Sequence, residues 1–269
     1  MALNDIEENN MLKSIIKDPE HYFPKLAKKT NYQYSPLLPV FPVSANSDYS
    51  LISNNNIFTD SPAPYWKKFI DKTTIEHFKR RETIYLSGDS TENVYLVMKG
   101  LVMLSQLQKN GIEVGQSIEI PNCTFGELEV LNQTYRVQQA TALSDCQLCI
   151  VPADLFDRLT QKSAYFSRNV AKLISQRHQR SDYRQACLAL LDVPHRLAKL
   201  LLEMANIIGY KDDDGYHFKP CFTHQDMATL IISSRETVCS IMSNFRKLKI
   251  IDFDRKHVSI IDIDALENY

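Results

Sequence analysis

From Arg80 to Val151 apolar and polar residues alternate with a period of two. Thr83–Leu86, Val94–Met98, Leu101–Leu107 and Ile118–Ile120 are separated by the turn signals Gly88-Asp89, Lys99-Gly100, Asn110-Gly111 and Pro121. Two further strand-like stretches fall between residues 137 and 151. Short strands punctuated at such intervals predict a β sandwich or barrel. After Pro152 the period lengthens to that of a helix. Pro152 suits a first turn and Asp154 the positive end of a helix dipole. Phe156, Leu159, Phe166, Val170, Leu173, Ile174 and Tyr183 then fall at helical spacings as far as Leu190, with a break near Gln161–Ser163. A helix this long carries a stripe suited to a second copy, the alternative being its own β domain. Pro194 interrupts it. Leu197, Leu200, Leu201, Met204, Ile207 and Ile208 mark another helix, with Gly209 placed as a C′ residue and Lys211–Gly215 as a polar loop.

The next segment carries the functional signal. Thr223 caps a helix with Asp226 in its first turn and Met227, Leu230 and Ile231 on one face. Ser233 and Glu236 have the spacing of a capping box at the head of a second helix. Its inward face is Val238, Ile241, Met242, Phe245 and Leu248. Two short capped helices joined by a tight turn predict a helix-turn-helix. The outward face offers Arg235, Glu236, Ser240, Ser243 and Lys247. Arginine at a helix N-terminus opposes the dipole, so its placement there suggests an external acceptor. Arginine can bridge guanine O6 and N7, and glutamate can accept from a cytosine amino group. Arg246, Lys247 and Lys249 add positive charge at the far end. Ile250–Phe253 and His257–Ile261, around Asp254-Arg255-Lys256, predict a hairpin wing.

Composition narrows the options. The 269 residues are 44% hydrophobic and 23% charged, enough for a core in one large domain or two small ones. Thirty-one basic against 32 acidic residues give a formal charge of -1, so nucleic-acid contact needs a local patch. Residues 1–64 hold seven of the 11 prolines and the run Asn54-Asn55-Asn56. They read as an irregular extension with one short amphipathic helix at Ile6, Leu12, Ile15 and Ile16. No secretory signal or membrane span is evident, and the six cysteines read as reduced thiols in a cytoplasmic chain. Cys146 and Cys149 fall on opposite faces of a strand, and His217, Cys221 and His224 lack an evident fourth ligand, so no metal site is expected. Cys239 could be a redox-sensitive thiol. There is no GxGxxG, P-loop or GxSxG, and no histidine within 80–151, so the chain is not expected to be an enzyme.

Phe222–Ala228 (FTHQDMA) and Ser233–Val238 (SSRETV) resemble the DNA-binding domain of Crp/Fnr transcription regulators. Upstream, Tyr85–Asp89, Val94–Gly100 and Phe125–Leu128 resemble that family's cyclic-nucleotide-binding β roll, and Leu190–Ala198 the joint after its dimer helix. The similarity spans roughly residues 66–265 and rests most on the Ser-Arg-Glu-Thr helix. It implies an α+β chain with an N-terminal β-roll (double-stranded jelly-roll-like) domain, a long dimerisation helix and a C-terminal winged helix-turn-helix. The corresponding divisions are 1–64, an extension; 65–151, the effector or sensor roll; 152–192, the dimerisation helix; and 193–269, the DNA-binding domain. The resemblance further implies a homodimer on a two-fold-related double-stranded operator, in contact with RNA polymerase. Arg235, Glu236 and Ser240 would meet bases at a recognition helix near 234–248. Thr223, His224, Ser234, Thr237 and Lys247 would meet phosphates.

This sequence also departs from the family. Glu127 and Arg136 stand where cAMP-binding members hold ribose and phosphate, and Ser181 where the dimer helix can face the base. Val137 replaces the phosphate-binding hydroxyl residue, and Gln138 follows where a small residue is usual. The effector is therefore not expected to be cAMP, and none is strictly required. No cysteine precedes Cys123, so no iron–sulfur cluster is expected. Ser240 replaces a base-reading arginine, and Ile232 occupies a turn position usually given to glycine. The rival expectation is a small-molecule sensor that acts through protein contacts without DNA.

Overall fold

The computed structural model describes residues 72–212, 215–254 and 257–269. The extension and its short amphipathic helix lie outside the described residues.

Eight strands build the first unit: β1 Thr74–Phe78, β2 Thr83–Tyr85, β3 Asn93–Lys99, β4 Val102–Leu107, β5 Glu113–Glu119, β6 Thr124–Phe125, β7 Gln139–Ala142 and β8 Cys146–Pro152. A one-and-a-half-turn helix, α1 Glu127–Asn132, sits between β6 and β7. The strands form two antiparallel sheets in the orders β1-β8-β3-β6 and β2-β7-β4-β5. Three of these elements, β1, β6 and α1, are absent from the sequence expectation, each being too short or too polar to display its period.

Alternation explains the packing. Along β3, Tyr95 and Val97 point between the sheets, where they meet Tyr85, Val102, Leu104, Phe125, Leu148 and Ile150. Val94, Leu96 and Met98 point outward and are just as buried. They are covered by two helices, α2 Ala153–Lys162 and α3 Ala164–Leu190, through Leu155, Phe156, Phe166, Val170 and Leu173. A strand covered on both faces reads as a continuous apolar run, as Val94–Met98 does. Ser163 separates the two helices and caps α3 by accepting from the Phe166 N–H. The apolar stripe in the first half of α3 therefore packs on this chain's own roll.

The outer face of the second sheet is covered differently. Leu101, Met103, Ile118 and Leu143 share one core with α4 Val193–Ile208, α5 His224–Ile231 and α6 Arg235–Lys247. Asp192 caps α4, so Pro194 lies in the first turn of that helix, where its missing N–H costs nothing. Gly209 ends α4, but at φ -89 and not in the left-handed conformation of a C′ glycine. It is glycine for space: a Cβ there would lie 2.2 Å from the Ala205 carbonyl oxygen. The expected polar loop at 211–215 is instead a hairpin of β9 Tyr210–Asp212 and β10 Gly215–Phe218. It joins β11 Ile251–Phe253 and β12 Val258–Ile260 in a sheet ordered β11-β12-β10-β9, and α7 Ile263–Glu267 closes the chain. The charged residues of β9 hid a strand whose role is to extend the wing.

Three residues, Ile232 to Ser234, separate α5 from α6. Ile232 is left-handed, at φ 53 and ψ 67, and is 42% exposed. For a β-branched side chain this conformation is strained by roughly 1–2 kcal/mol. Little burial would be lost with the side chain. Ile232→Gly is therefore expected to leave the fold intact and raise its unfolding free energy, by up to about 1 kcal/mol after the extra freedom glycine gives the unfolded chain. Chemical denaturation of parent and variant measures this, and a clear destabilisation would show that Ile232 is held by packing.

Candidate nucleic-acid interface and adjoining cavity

Local capping sets the helix-turn-helix. Thr223 caps α5 by accepting from the Asp226 N–H, while the Asp226 carboxylate accepts from the Thr223 N–H, a reciprocal capping box. That box belongs to α5. At α6 the cap is Ser234, one residue later than the expected Ser233, and its hydroxyl accepts from the Thr237 N–H at 3.1 Å. Glu236 closes no box. Its own backbone N–H and the Ser234 hydroxyl hold its exposed carboxyl below the usual range.

Val238, Met242 and Phe245 are buried under α6 and Ile241 is half-buried. Leu248, expected to face inward, is 56% exposed, because the helix ends at Lys247 and the chain turns through left-handed Lys249. Arg235, Glu236, Ser240, Ser243 and Lys247 are all exposed along the opposite face. Arg246 is engaged with the wing, its Nε 2.7 Å from the Asp252 carboxylate and its guanidinium 5.2 Å from the Phe253 ring centre. His224 lies between the two helices with Nδ1 2.9 Å from the Cys239 Sγ. Burial, and then the Arg235 charge, pull its imidazole below the ordinary histidine range. Thr223 is exposed, and its hydroxyl accepts from Arg81 at 3.0 Å.

Arg81 carries no signal in the sequence. Its guanidinium grips both Asp226 carboxylate oxygens, at 2.8 and 3.0 Å, and so ties the roll to the first turn of α5. A second tie is Arg184 of α3, which donates to the Gly115 and Leu230 carbonyls at once. Gly115 is needed there, since a Cβ would come within 3.0 Å of Leu230.

The three effector residues suggested by resemblance do not converge. Arg136 is buried, donates to the Gly126 and Asn93 carbonyls, lies 3.5 Å from Glu129 and covers the Tyr85 ring. Left-handed Gly126 allows this approach, a Cβ there falling 2.5 Å from the Arg136 Nη1. Glu127 is buried against Arg177, which also meets Glu119 and the Thr124 carbonyl. Burial raises the Glu127 carboxyl, and Arg177 offsets part of that rise. Ser181 alone lines the adjoining cavity, a space of about 520 Å³ between β5, α3, α4 and α5. Arg180 and Arg184 of α3, Arg196, Lys199 and Glu203 of α4, and Leu230 of α5 share that lining. The apolar stripe of α3 dominates its sequence signal and hides these cationic positions.

The cysteines are spread out. Cys146 packs between the sheets and Cys149 under the helices, as the strand period requires. Burial pushes the Cys123 thiol to about 11 and the Cys221 thiol to about 12. His217 is held by Ser259 and Asp212. Among the described residues no helix is long and apolar enough to cross a membrane.

A β roll followed by a winged helix-turn-helix defines the class of helix-turn-helix transcription regulators. Residues 75–163 match the family model of a cyclic nucleotide-binding domain, and residues 195–269 that of a Crp-like helix-turn-helix domain. The chain belongs to the Crp/Fnr family of transcription regulators. It is 29% identical over 194 residues to the global nitrogen regulator of Synechococcus elongatus, covering 71% of this chain and 87% of that one. It is 26% identical over 189 residues to the CRP-like cAMP-activated global transcriptional regulator of Mycobacterium tuberculosis, with 70% and 84% covered. The fold is similar to that of a CRP-family regulator from Thermus thermophilus, with TM-score 0.63, 24% identity, and 72% and 95% of the two chains covered.

Burial raises the Glu203 carboxyl from 4.5 to about 7, with Arg184 and Arg180 offsetting part of the rise. Arg177, His178 and Glu119 face the same space from α3 and β5, and Lys199 from Glu203's own helix. Below the ordinary carboxyl range both folded and unfolded chains keep the Glu203 proton. Between that range and about 7 only the folded chain keeps it, so stability falls as pH rises through this window. Glu203→Gln is expected to remove this part of the slope. Denaturation of both proteins between about pH 5 and pH 8 checks it, and parallel profiles would show that Glu203 is freely solvated.

Proposed function

We propose that this chain binds a two-fold-related operator as a homodimer, each α6 lying in a major groove, and acts on transcription through RNA polymerase. The observation that carries this is the exposed face of α6. It offers Arg235, Glu236, Ser240, Ser243 and Lys247 on a helix whose other face is fixed by burial. Arg235 and Glu236 at the N-terminal end suit a G·C pair, with Ser240 one turn further on. Ser234, Thr237 and Thr223 surround the N-termini of α6 and α5, where backbone N–H groups also favour phosphate. His224, with Nδ1 turned to Cys239, keeps Nε2 for an acceptor.

For the dimer, α3 supplies a helix of about 40 Å. On its solvent side the exposed positions Ala171, Ser175, His178, Asp182, Gln185 and Ala189 alternate at spacings of four and three. The row has heptad spacing but is polar at Ser175, His178, Asp182 and Gln185, so pairing along it would rest on close approach at Ala171 and Ala189 and on hydrogen bonds, not on an apolar seam. A two-fold-related operator read in successive major grooves calls for two recognition helices about 34–36 Å apart. The relatives' functions support a cytoplasmic regulator and no catalytic role. The engagement of Arg136, together with Val137, disfavours a cyclic nucleotide held in the roll as cAMP-type members hold it.

Selection of bound duplexes by the full-length chain, with footprinting of the winners, tests the reading. Arg235→Ala should lose about 1–3 kcal/mol on the selected operator and tolerate substitution at one base pair per half-site. Lys247→Ala should weaken all duplexes alike and lower the salt slope by about one per subunit. A monomer that selects no sequence at low salt would instead favour a sensor acting through protein contacts.

A further inference from the structure

We propose that the cavity between β5, α3, α4 and α5 binds a small organic polyanion, and that its occupancy is transmitted to DNA binding through Arg184. This rests on the reading of the chain as a DNA-binding regulator, and it places the anion at the junction with the helix-turn-helix and away from the buried Arg136.

The lining is short of negative charge. Arg180, Arg184, Arg196 and Lys199 face the space, and among the described residues none forms an ion pair with a carboxylate. Among the described residues Arg180 donates only to the Gln176 carbonyl, Arg184 only to two carbonyls, and the buried Nε of Arg196 has no hydrogen-bond partner. Of the two carboxylates in the lining, Glu119 is engaged by Arg177 and Ser117. Glu203 is left, and it carries its proton part of the time near neutrality. Burial also lowers the Arg184 guanidinium, and the nearby Glu203 offsets only part of that fall. Several cations converging on one partly enclosed space, with at most one opposing charge, are complementary to a ligand with two or more anionic groups. Guanidinium pairs recognise carboxylate and phosphate alike, so the shared chemistry is a polycarboxylate or a phosphorylated metabolite. A volume of about 520 Å³ suits a molecule of that size.

Arg184 gives such a ligand leverage. It holds the Leu230 carbonyl of α5 and the Gly115 carbonyl of β5 together. An anion would compete for the same donors, and a charged acceptor binds them more strongly than a neutral carbonyl. Pairing would thus loosen α5 from the roll, and linkage requires that DNA change the anion's affinity by the same factor.

Calorimetry and thermal shift on the full-length protein at constant ionic strength, with citrate, glutarate, fructose 1,6-bisphosphate and cAMP as probes, test this. At least one polyanion should bind, and the carboxylate and phosphate arms identify which source is preferred. Arg180→Gln with Lys199→Gln, which leaves the Arg184 ties in place, should weaken it about tenfold or more, as expected for lost charged hydrogen bonds. Arg184→Lys should retain anion binding but uncouple it from DNA affinity. No binding of any polyanion would overturn the proposal, as would cAMP binding that the double variant leaves unchanged. DNA binding measured without any probe stands apart, so failure of the regulator reading is distinguishable from failure of the anion site.

Discussion

Everything on the DNA-facing side depends on how α5 is seated. The helix lies against the outer face of β5, where Gly115 lets Leu230 approach to van der Waals contact. Ile118, Met103 and Leu101 continue the apolar floor beneath α4 and α5. That seat fixes α5, the three-residue turn fixes α6 against α5, and α6 is thereby left with one face buried and one in water. Apolar burial supplies the energy and carries no direction of its own. Direction comes from charged hydrogen bonds at the two ends of α5: Arg81 on the capping box and Arg184 on the Leu230 carbonyl.

The two arginine ties differ in a way that matters for signalling. Arg81 is matched by a full carboxylate, Asp226, which also completes the cap of α5, so breaking the pair would leave a buried charge and a frayed helix end. Arg184 donates its hydrogen bonds to carbonyl dipoles, and among the described residues no carboxylate is in ion-pair contact with it. Its bond is the weaker and more exchangeable one, and it lies on the cavity wall. A fold that needed only rigidity at this junction would gain from a carboxylate opposite Arg184. The acid nearest to that role, Glu203, has its carboxyl raised by burial, with Arg184 and Arg180 offsetting part of the rise.

Much of this fold is legible in the sequence because its periods are strong. The continuous apolar run at Val94–Met98 and the helical spacing of Val238, Met242 and Phe245 survive in the structure, since each reflects which neighbours bury them. What the sequence hides has weak or conflicting local signals. β9 is made of Tyr210, Lys211 and Asp212, residues that read as loop, and is held as a strand by β10. Ser233 and Glu236 have the spacing of a capping box. Thr223 and Asp226 have the same spacing, and only the hydrogen bonds tell which box closes. The candidate interface on α6 is visible because Arg235, Glu236 and Ser240 stand on the polar side of a helix whose period is plain. The cavity is not, since its cations stand on the polar sides of two helices and converge only once α3 and α4 are packed.

The fate of Arg136 shows why residue type alone does not define a ligand site. A buried guanidinium needs several acceptors, and here the chain supplies them from the Gly126 and Asn93 carbonyls, Glu129 and the ring of Tyr85. For a phosphate to claim Arg136 it would have to replace these contacts, and Val137 offers no hydroxyl to assist. The cations lining the cavity have few such internal acceptors to give up, chiefly the carbonyls on Arg184 and Arg180. Anion affinity depends on what the cation loses as well as on what it gains, so the balance lies with the cavity and not with the roll's interior. On the proposed reading, the charge available to an anion therefore lies beside α3 and toward α5 and α6, not inside the roll.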